Sequence, residues 1–118
     1  MLIDLWASWC LPCRKVAPFF EKNKQEFLGK NVVFVSLSID EDDKITEWKR
    51  ALKEDGLMNA TNHYKLLSPK TSLLFKNFEV SAIPRYALID ASGKFVDADF
   101  LMPSEPNFAE RLSALTKE

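Results

Sequence analysis

Two cysteines with two residues between them are the part of this sequence best suited to chemistry. Cys10 and Cys13 enclose a Leu-Pro dipeptide and follow an apolar run at residues 2–5. An apolar run that leads straight into such a pair predicts a strand followed by a helix, with both sulfurs in the first helical turn. Pro12 suits that turn, because its missing N–H would have no intrahelical partner there.

Cys10 is the sulfur whose reactivity this arrangement would change most. As the predicted helix cap, it would lie beside free backbone N–H groups and at the positive end of the helix dipole. Both effects favour the thiolate, and they lower a cysteine pKa from about 8.5 toward roughly 3.5–7.5. An exposed thiolate at Cys10, with Cys13 one turn inside the helix, predicts thiol–disulfide exchange.

Two other uses of the cysteine pair are less well supported. A structural zinc site takes four ligands, whereas the whole chain contains two Cys and one His. A disulfide that merely staples the fold would close too short a loop to constrain the unfolded chain much. The lone histidine, His63, is expected to be a surface or packing residue. The sequence therefore favours redox chemistry and predicts no metal.

Composition and charge describe one ordinary globular domain. The chain has 118 residues, 47% of them hydrophobic, and a net charge of −1. That charge gives no electrostatic attraction to nucleic acid or to an anionic membrane, and no apolar run approaches the roughly 18 residues of a membrane span. The apolar run begins directly after Met1, so we expect residues 1–118 to be one domain taken from a longer chain. We also expect this domain to be a monomer.

Three segments of the chain resemble the thioredoxin superfamily. Residues 4–14 (DLWASWCLPCR), with residues 17–18 (AP) beyond them, are similar to its active-site segment. Residues 35–40 (VSLSID) and 82–90 (AIPRYALID) resemble its TlpA-like branch of bacterial thiol-disulfide oxidoreductases. The resemblance runs from residue 2 to about residue 100. It implies an α/β fold of three layers, α/β/α, with a mixed sheet of four or five strands that lacks at least one N-terminal strand.

The resemblance also implies roles for individual residues. Cys10 would attack a substrate disulfide, Cys13 would resolve the mixed disulfide, and Asp4 would accept the proton of Cys13. Pro84 would follow a cis peptide bond that lets the backbone of Ile83 pair with an extended substrate chain. The residues expected to contact the substrate are Trp6, Trp9, Leu11, Pro12, Ile83 and Pro84. The alternatives are a solvated, structural Asp4 and a trans Pro84 that opens an edge strand.

Two departures from the family pattern concern Asp4. TlpA-like proteins often carry a Glu three places after the second cysteine, where this chain has Val16. Thioredoxins often carry a Lys that faces the buried acid, where this chain has Ser36. Asp4 is therefore expected to handle the proton alone, and without a neighbouring cation its pKa should be raised.

The other predicted elements would support this pair. Periodicity and turn residues predict a helix over 11–28, a strand over 32–39, a helix over 44–54, a short strand or irregular segment over 63–67, a helix over 71–78, a hairpin of 86–90 with 94–100, and a last helix after residue 103. Pro18 should kink the first helix. The acidic residues 40–43 are interpreted as a helix cap, since their spacing is not that of a calcium loop. The residues expected to face the core from the helices are Val16, Phe19, Phe20, Phe27, Phe108, Leu112 and Leu115.

The predicted function is the reduction of protein disulfides by this dithiol, without a cofactor. Its partners would be protein dithiol or disulfide substrates and an upstream electron donor. The apolar Leu11 between the cysteines favours the reducing direction, because it offers no charge to the thiolate. Other interpretations are a disulfide oxidase or isomerase, and a binding module that uses the groove beside Pro84. A peroxidase is a further alternative, but this chain lacks the Thr-x-x-Cys pattern that peroxiredoxins resemble. The TlpA-like resemblance implies an extracytoplasmic or periplasmic location, with a membrane anchor in the parent chain.

Overall fold

A computed structural model describes residues 1–69 and 82–116 of the protein. The elements in chain order are β1 (Leu2–Trp6), α1 (Leu11–Glu26), β2 (Phe34–Ser38), a short 3-10 helix (Asp42–Lys44), α2 (Ile45–Glu54), β3 (His63–Lys65), β4 (Arg85–Ile89), β5 (Phe95–Asp97) and α3 (Phe108–Thr116). The helix predicted over residues 71–78 lies outside the described residues.

The five strands form one mixed sheet in the order β3-β2-β1-β4-β5. The pairs β1–β2 and β2–β3 are parallel, whereas β1–β4 and β4–β5 are antiparallel. The expected α/β fold with a mixed sheet is therefore confirmed. Strand β1 lies at its centre, and the loop and the first helical turn that follow β1 carry the cysteine pair.

Strand β1 is buried along its whole length, and its two faces enter different parts of the core. Leu2 packs with Phe20 and Phe108, which come from α1 and α3. Ile3 and Leu5 point to the opposite face, since side chains alternate along a strand, and pack with Ala87 there. Asp4 shares the face of Leu2 and so points toward the helices.

The helices differ from the prediction in which side chains they bury. Helix α1 ends at Glu26 and continues through Pro18. Phe20 is buried as expected, but Phe19 is 47% exposed. In α3, Phe108 and Leu112 are buried, whereas Leu115 is 38% exposed. The expectations for Phe19 and Leu115 were wrong, because both residues lie at the edge of the apolar face of their helix rather than at its centre.

The acidic residues 40–43 do not cap a helix with their side chains. Neither the 3-10 helix nor α2 has a side-chain hydrogen bond at its N-cap. Asp40 is fully buried, and Asp42 pairs with Lys65 at 2.7 Å. The interpretation as a side-chain cap was wrong, because the carboxylates of Asp40 and Asp42 bind groups that are distant in the sequence, Ser8 and Lys65.

Strand β4 has the predicted length of five residues but begins and ends one position earlier, whereas β5 is shorter than predicted. The turn between them is held by Asp90, whose Oδ1 accepts hydrogen bonds from the backbone N–H groups of Ser92 and Lys94 at 2.9 and 3.0 Å. Within the described ranges 1–69 and 82–116, no helix is both long and apolar enough to cross a membrane.

Candidate active site

The cysteine pair forms a disulfide at the N-terminus of α1. Cys10 is the N-cap residue, as the sequence predicted, and Pro12 lies in the first turn. The backbone N–H of Cys13 donates a hydrogen bond to Cys10 Sγ at 3.2 Å. This donor and the helix dipole favour negative charge on Cys10 once the disulfide is reduced.

Cys10 is less exposed than the sequence predicted, and Cys13 is buried beside it. Cys10 is 5% exposed and Cys13 is 3% exposed, and both pack in one buried cluster with Trp6 and Ala7. Helix α2 closes this cluster with Ala51. The expected exposure of Cys10 was wrong, because apolar residues of β1 and α2 surround the start of α1.

The predicted substrate contacts divide into exposed and buried residues. Trp9 is 67% exposed and Leu11 is 65% exposed, and Pro12 is exposed beside them. Trp6, in contrast, is buried with the cysteines. The surface next to the disulfide is therefore apolar at Trp9 and Leu11, whereas Trp6 supports the disulfide from within, which is at odds with a direct contact to substrate.

The segment before β4 lies against the same cluster. The Ile83–Pro84 peptide bond is cis, and both residues are half-buried. Ile83 packs against the buried residues around Cys10 and Cys13. The fold thus brings residue 83 to a disulfide that is seventy-odd positions earlier in the chain.

Asp4 is a buried acid with few partners. Its Oδ2 accepts a hydrogen bond from Ser36 Oγ at 3.4 Å, and among the described residues its Oδ1 has no hydrogen-bond partner. Burial raises the pKa of Asp4 to about 7; the Ser36 hydrogen bond opposes this and the charge of Glu21 adds to it. Asp4 and Cys13 line the same small cavity, so the acid has access to the second cysteine.

Asp40 is a residue of the site whose role the sequence did not reveal. Its carboxylate accepts hydrogen bonds from the backbone N–H of Ser8 at 3.0 Å and from Ser8 Oγ at 2.6 Å. Ser38 Oγ donates to the same carboxylate. Asp40 thereby ties the loop before Cys10 to the end of β2. The sequence signal that could have indicated this role is a serine near the end of each strand: Ser8 follows β1, and Ser38 is the last residue of β2.

Arg14 connects the start of α1 to the end of α2. Its Nε and Nη2 donate to the two carboxylate oxygens of Asp55, each at 2.9 Å, and Nη2 also lies 3.0 Å from Glu54 Oε2. Hydrogen bonds first to Asp55 and then to Glu54 raise the pKa of Arg14. This cation is therefore fixed directly after the second cysteine.

A second charged group that sequence reasoning missed surrounds His63. Glu21 Oε1 lies 2.8 Å from Lys24 Nζ and 3.3 Å from His63 Nε2. Lys24 Nζ also donates to the carbonyl of Thr61 at 2.9 Å. Both Lys24 and His63 have side chains that are 7% exposed. His63 is thus a packing residue, as expected, but with an acidic partner from α1.

The described residues hold no cluster of ligands for a metal ion. Over ranges 1–69 and 82–116, no group of three His, Cys, Asp or Glu side chains is close enough for that purpose. What the arrangement offers instead is a dithiol, a hydrogen-bond donor for Cys10 and a buried acid beside Cys13.

Comparisons with known proteins agree with this chemistry. A family described as Thioredoxin-like matches residues 1–95. A thioredoxin from Synechocystis is 31% identical over 81% of this chain and 79% of that protein. Chloroplastic thioredoxin M-type from Spinacia oleracea is 30% identical over 81% of this chain, which spans only 47% of the spinach protein.

A solved structure adds a likeness of the fold. A Bacteroides vulgatus protein assigned as a thiol-disulfide oxidoreductase is 34% identical, with a TM-score of 0.73 over 97% of this chain and 71% of that one. The matches support the expected enzyme class, an oxidoreductase. Because the family match covers 95 of the 118 residues, the chain belongs to the thioredoxin-like family.

Proposed function

We propose that this domain is a thiol-disulfide oxidoreductase that reduces disulfides in protein substrates. The observation that carries the proposal is the Cys10–Cys13 disulfide at the start of α1, with a backbone N–H aimed at Cys10 Sγ. The buried Asp4 on the cavity shared with Cys13 adds a proton acceptor. This set of groups suits dithiol exchange and needs no metal or organic cofactor.

In the proposed reaction the reduced dithiol gives two electrons to a substrate disulfide. The Cys10 thiolate attacks one substrate sulfur, the substrate S–S bond breaks, and the first substrate thiolate leaves. Cys13 then loses its proton and attacks Cys10 Sγ. The mixed disulfide breaks, the second substrate thiolate leaves, and the Cys10–Cys13 bond is formed.

Asp4 is proposed to take the proton that Cys13 loses. A general base is most effective when its pKa is close to the working pH, and burial raises the pKa of Asp4 to about 7. Thioredoxins often carry Lys where this chain has Ser36, and TlpA-like proteins often carry Glu where it has Val16, so neither that cation nor that second acid assists Asp4. Asp4 is therefore the proposed base for the second step.

The substrate is proposed to dock on the apolar surface beside the disulfide. Trp9, Leu11 and Pro12 are exposed there, and the backbone of Ile83 is proposed to pair with an extended substrate segment. We propose that the domain works as a monomer with a separate electron donor. We propose an extracytoplasmic location from the TlpA-like resemblance, and fractionation of cells that make the native protein tests it.

The first experiment is to measure the reduction potential of the Cys10/Cys13 couple against glutathione or dithiothreitol. Trp fluorescence provides the signal, because Trp6 packs in the same buried cluster as both cysteines. A reductase is expected to have a potential of about −250 mV or lower. A value above about −180 mV would support a disulfide oxidase or isomerase. Absence of a reversible couple would overturn the redox function and favour the binding module.

A matched pair of variants tests the order of attack. Cys13→Ser is expected to accumulate a mixed disulfide between Cys10 and the substrate, because the resolving thiol is gone. Cys10→Ser is expected to form none. Non-reducing electrophoresis with a disulfide-containing protein substrate shows the adducts. Adducts with Cys10→Ser instead would reverse the assigned roles.

A further inference from the structure

A small cavity lies between Cys13 and the charged group around His63. Its walls include Asp4, Cys13, Glu21, Ser36 and His63. The volume of this cavity is about 10 Å³, which is close to the smallest volume that holds one buried water. Side chains from β1, β2, β3 and α1 therefore meet at one site large enough for a single water.

Three buried polar atoms, all in residues that line this cavity, lack a partner within the described part of the chain. They are Asp4 Oδ1, Glu21 Oε2 and His63 Nδ1. Buried polar atoms in proteins are nearly always hydrogen-bonded, to protein or to ordered water. Each of these three atoms belongs to a residue that lines the same cavity. A bound water needs two to four polar partners, and this set supplies them.

We infer that a water in this cavity links Asp4 to Glu21 and His63, and that this link carries the proton of Cys13 toward solvent. The inference rests on the proposed function. The proton leaves Cys13 as its sulfur bonds to Cys10 and the mixed disulfide breaks. It moves to the Asp4 carboxylate and passes through the water to His63 Nδ1, while the proton on His63 Nε2 passes to Glu21 Oε1 and from there to solvent. Glu21 and His63 are positioning residues here, since they act on the reacting sulfur only through Asp4.

Glu21 is the residue through which the proton reaches solvent. Its side chain is 18% exposed, whereas Asp4 is buried. Burial acts against the charged form of Glu21, but hydrogen bonds from His63 and Lys24 outweigh it and lower the pKa of Glu21. Glu21 is thus ionised at neutral pH, where it holds His63 in place and adds to the raised pKa of Asp4.

Other titratable groups near Asp4 come from every element packed against it. Cys13 and Glu21 approach from α1, His63 from β3 and Asp55 from the end of α2. Tyr86 on β4 is the cross-strand partner of Asp4, and burial, followed by the charge of Asp4, raises the pKa of Tyr86. Glu21 and His63 are the members of this set that also carry an unpartnered atom among the described residues.

The test isolates the step in which Cys13 loses its proton. The reduced protein is mixed with the aromatic disulfide dithionitrobenzoate, and thionitrobenzoate is followed by absorbance. Attack by Cys10 releases the first thionitrobenzoate, and attack by Cys13 on the mixed disulfide releases the second. The variants are Glu21→Gln and His63→Gln, with Glu26→Gln as the matched control, because Glu26 is exposed on the same helix.

His63→Gln is expected to slow the second release about tenfold, within the range of general acid–base effects, and to leave the first release unchanged. Glu21→Gln is expected to slow it similarly and to move the midpoint of its pH profile to lower pH, because a negative charge near Asp4 is lost. Glu26→Gln should change neither. In an Asp4→Asn background, His63→Gln should cause no further loss, as expected for residues that act in one path.

The outcomes separate this inference from the proposed function. A wild-type protein without a second release would overturn the proposed function itself. A normal wild-type protein whose Glu21 and His63 variants match it, or whose His63→Gln effect persists in full with Asp4→Asn, would overturn the proton path alone. An unchanged first release in each variant shows that its fold is intact, so a slow second release supports the path.

Discussion

Asp4 is a buried acid with a raised pKa, and its burial predicts a pH-dependent stability. Its pKa is about 7 in the fold, against an ordinary value of 3.8. Between these values the folded protein holds a proton that the unfolded chain has released. Rising pH therefore lowers the free energy of unfolding across that window, by at most about 4 kcal/mol, and the contribution of Asp4 is lost above about pH 7.

Urea unfolding at pH 5 and pH 8 measures this difference, with Asp4→Asn as the control. The wild-type protein is expected to be less stable at pH 8, and Asp4→Asn should reduce that difference, because its amide does not titrate. The prediction fails when both proteins lose the same free energy between the two pH values.

Single residues show how far sequence reasoning reached into the site. Cys10, Cys13 and Asp4 lie within ten positions of each other, so a local pattern was enough to place them together. The roles of Asp40 and Glu21 were not predicted, because their partners, Ser8 and His63, are 32 and 42 positions away. A charged side chain that is buried by distant parts of the chain leaves no local periodicity in the sequence.

At the scale of elements, the link between β2 and the loop before α1 predicts a loss of stability in Asp40→Asn. The carboxylate accepts from Ser8 N, Ser8 Oγ and Ser38 Oγ. An amide has one acceptor oxygen, so at least one buried donor would lose its partner, at a cost of about 1–3 kcal/mol. Urea unfolding measures the loss. Ser8→Ala, which removes only one hydroxyl, should lose less, and equal losses would contradict this account.

The contact between α1 and α2 predicts a smaller effect for Arg14→Lys. The guanidinium binds both oxygens of Asp55, a geometry that an ammonium does not reproduce. Because Arg14 and Asp55 are partly exposed, with side chains 20% and 24% accessible, the loss should be about 1 kcal/mol and should shrink at high salt. A double-mutant cycle with Asp55→Asn measures the coupling. A coupling independent of salt would contradict the charge-based explanation.

The elements themselves were predictable where the apolar pattern was long and regular. Helix α1 was expected to end at residue 28 and ends at Glu26, and α2 ends at residue 54 as expected. The length of β5 was overestimated, because the apolar pattern continues past its last residue toward Phe100. Phe100 is buried, so its hydrophobicity reports burial in the core rather than membership of a strand.

For the whole molecule, the sheet explains why the site forms where it does. Cys10 follows β1 and Asp40 follows β2, and these two strands are parallel. The carboxyl ends of parallel strands therefore meet at one edge, where functional groups of open α/β sheets usually gather. Local sequence patterns predicted the order of strands and helices along the chain, but they did not specify which face of the sheet each helix covers.

The redox state should change the stability of the entire domain. Cys10 is only 5% exposed among apolar neighbours, so the thiolate formed on reduction loses solvation, which offsets part of the stabilisation from the Cys13 N–H and the helix dipole. The disulfide also lowers the conformational entropy of the unfolded chain, which adds only about 2 kcal/mol to the free energy of unfolding because the loop is so short. We therefore expect the oxidised protein to unfold at higher urea concentration than the protein kept in dithiothreitol. By thermodynamic linkage that order means a couple that is readily oxidised, as a reductase requires, whereas a more stable reduced form would indicate a disulfide oxidase.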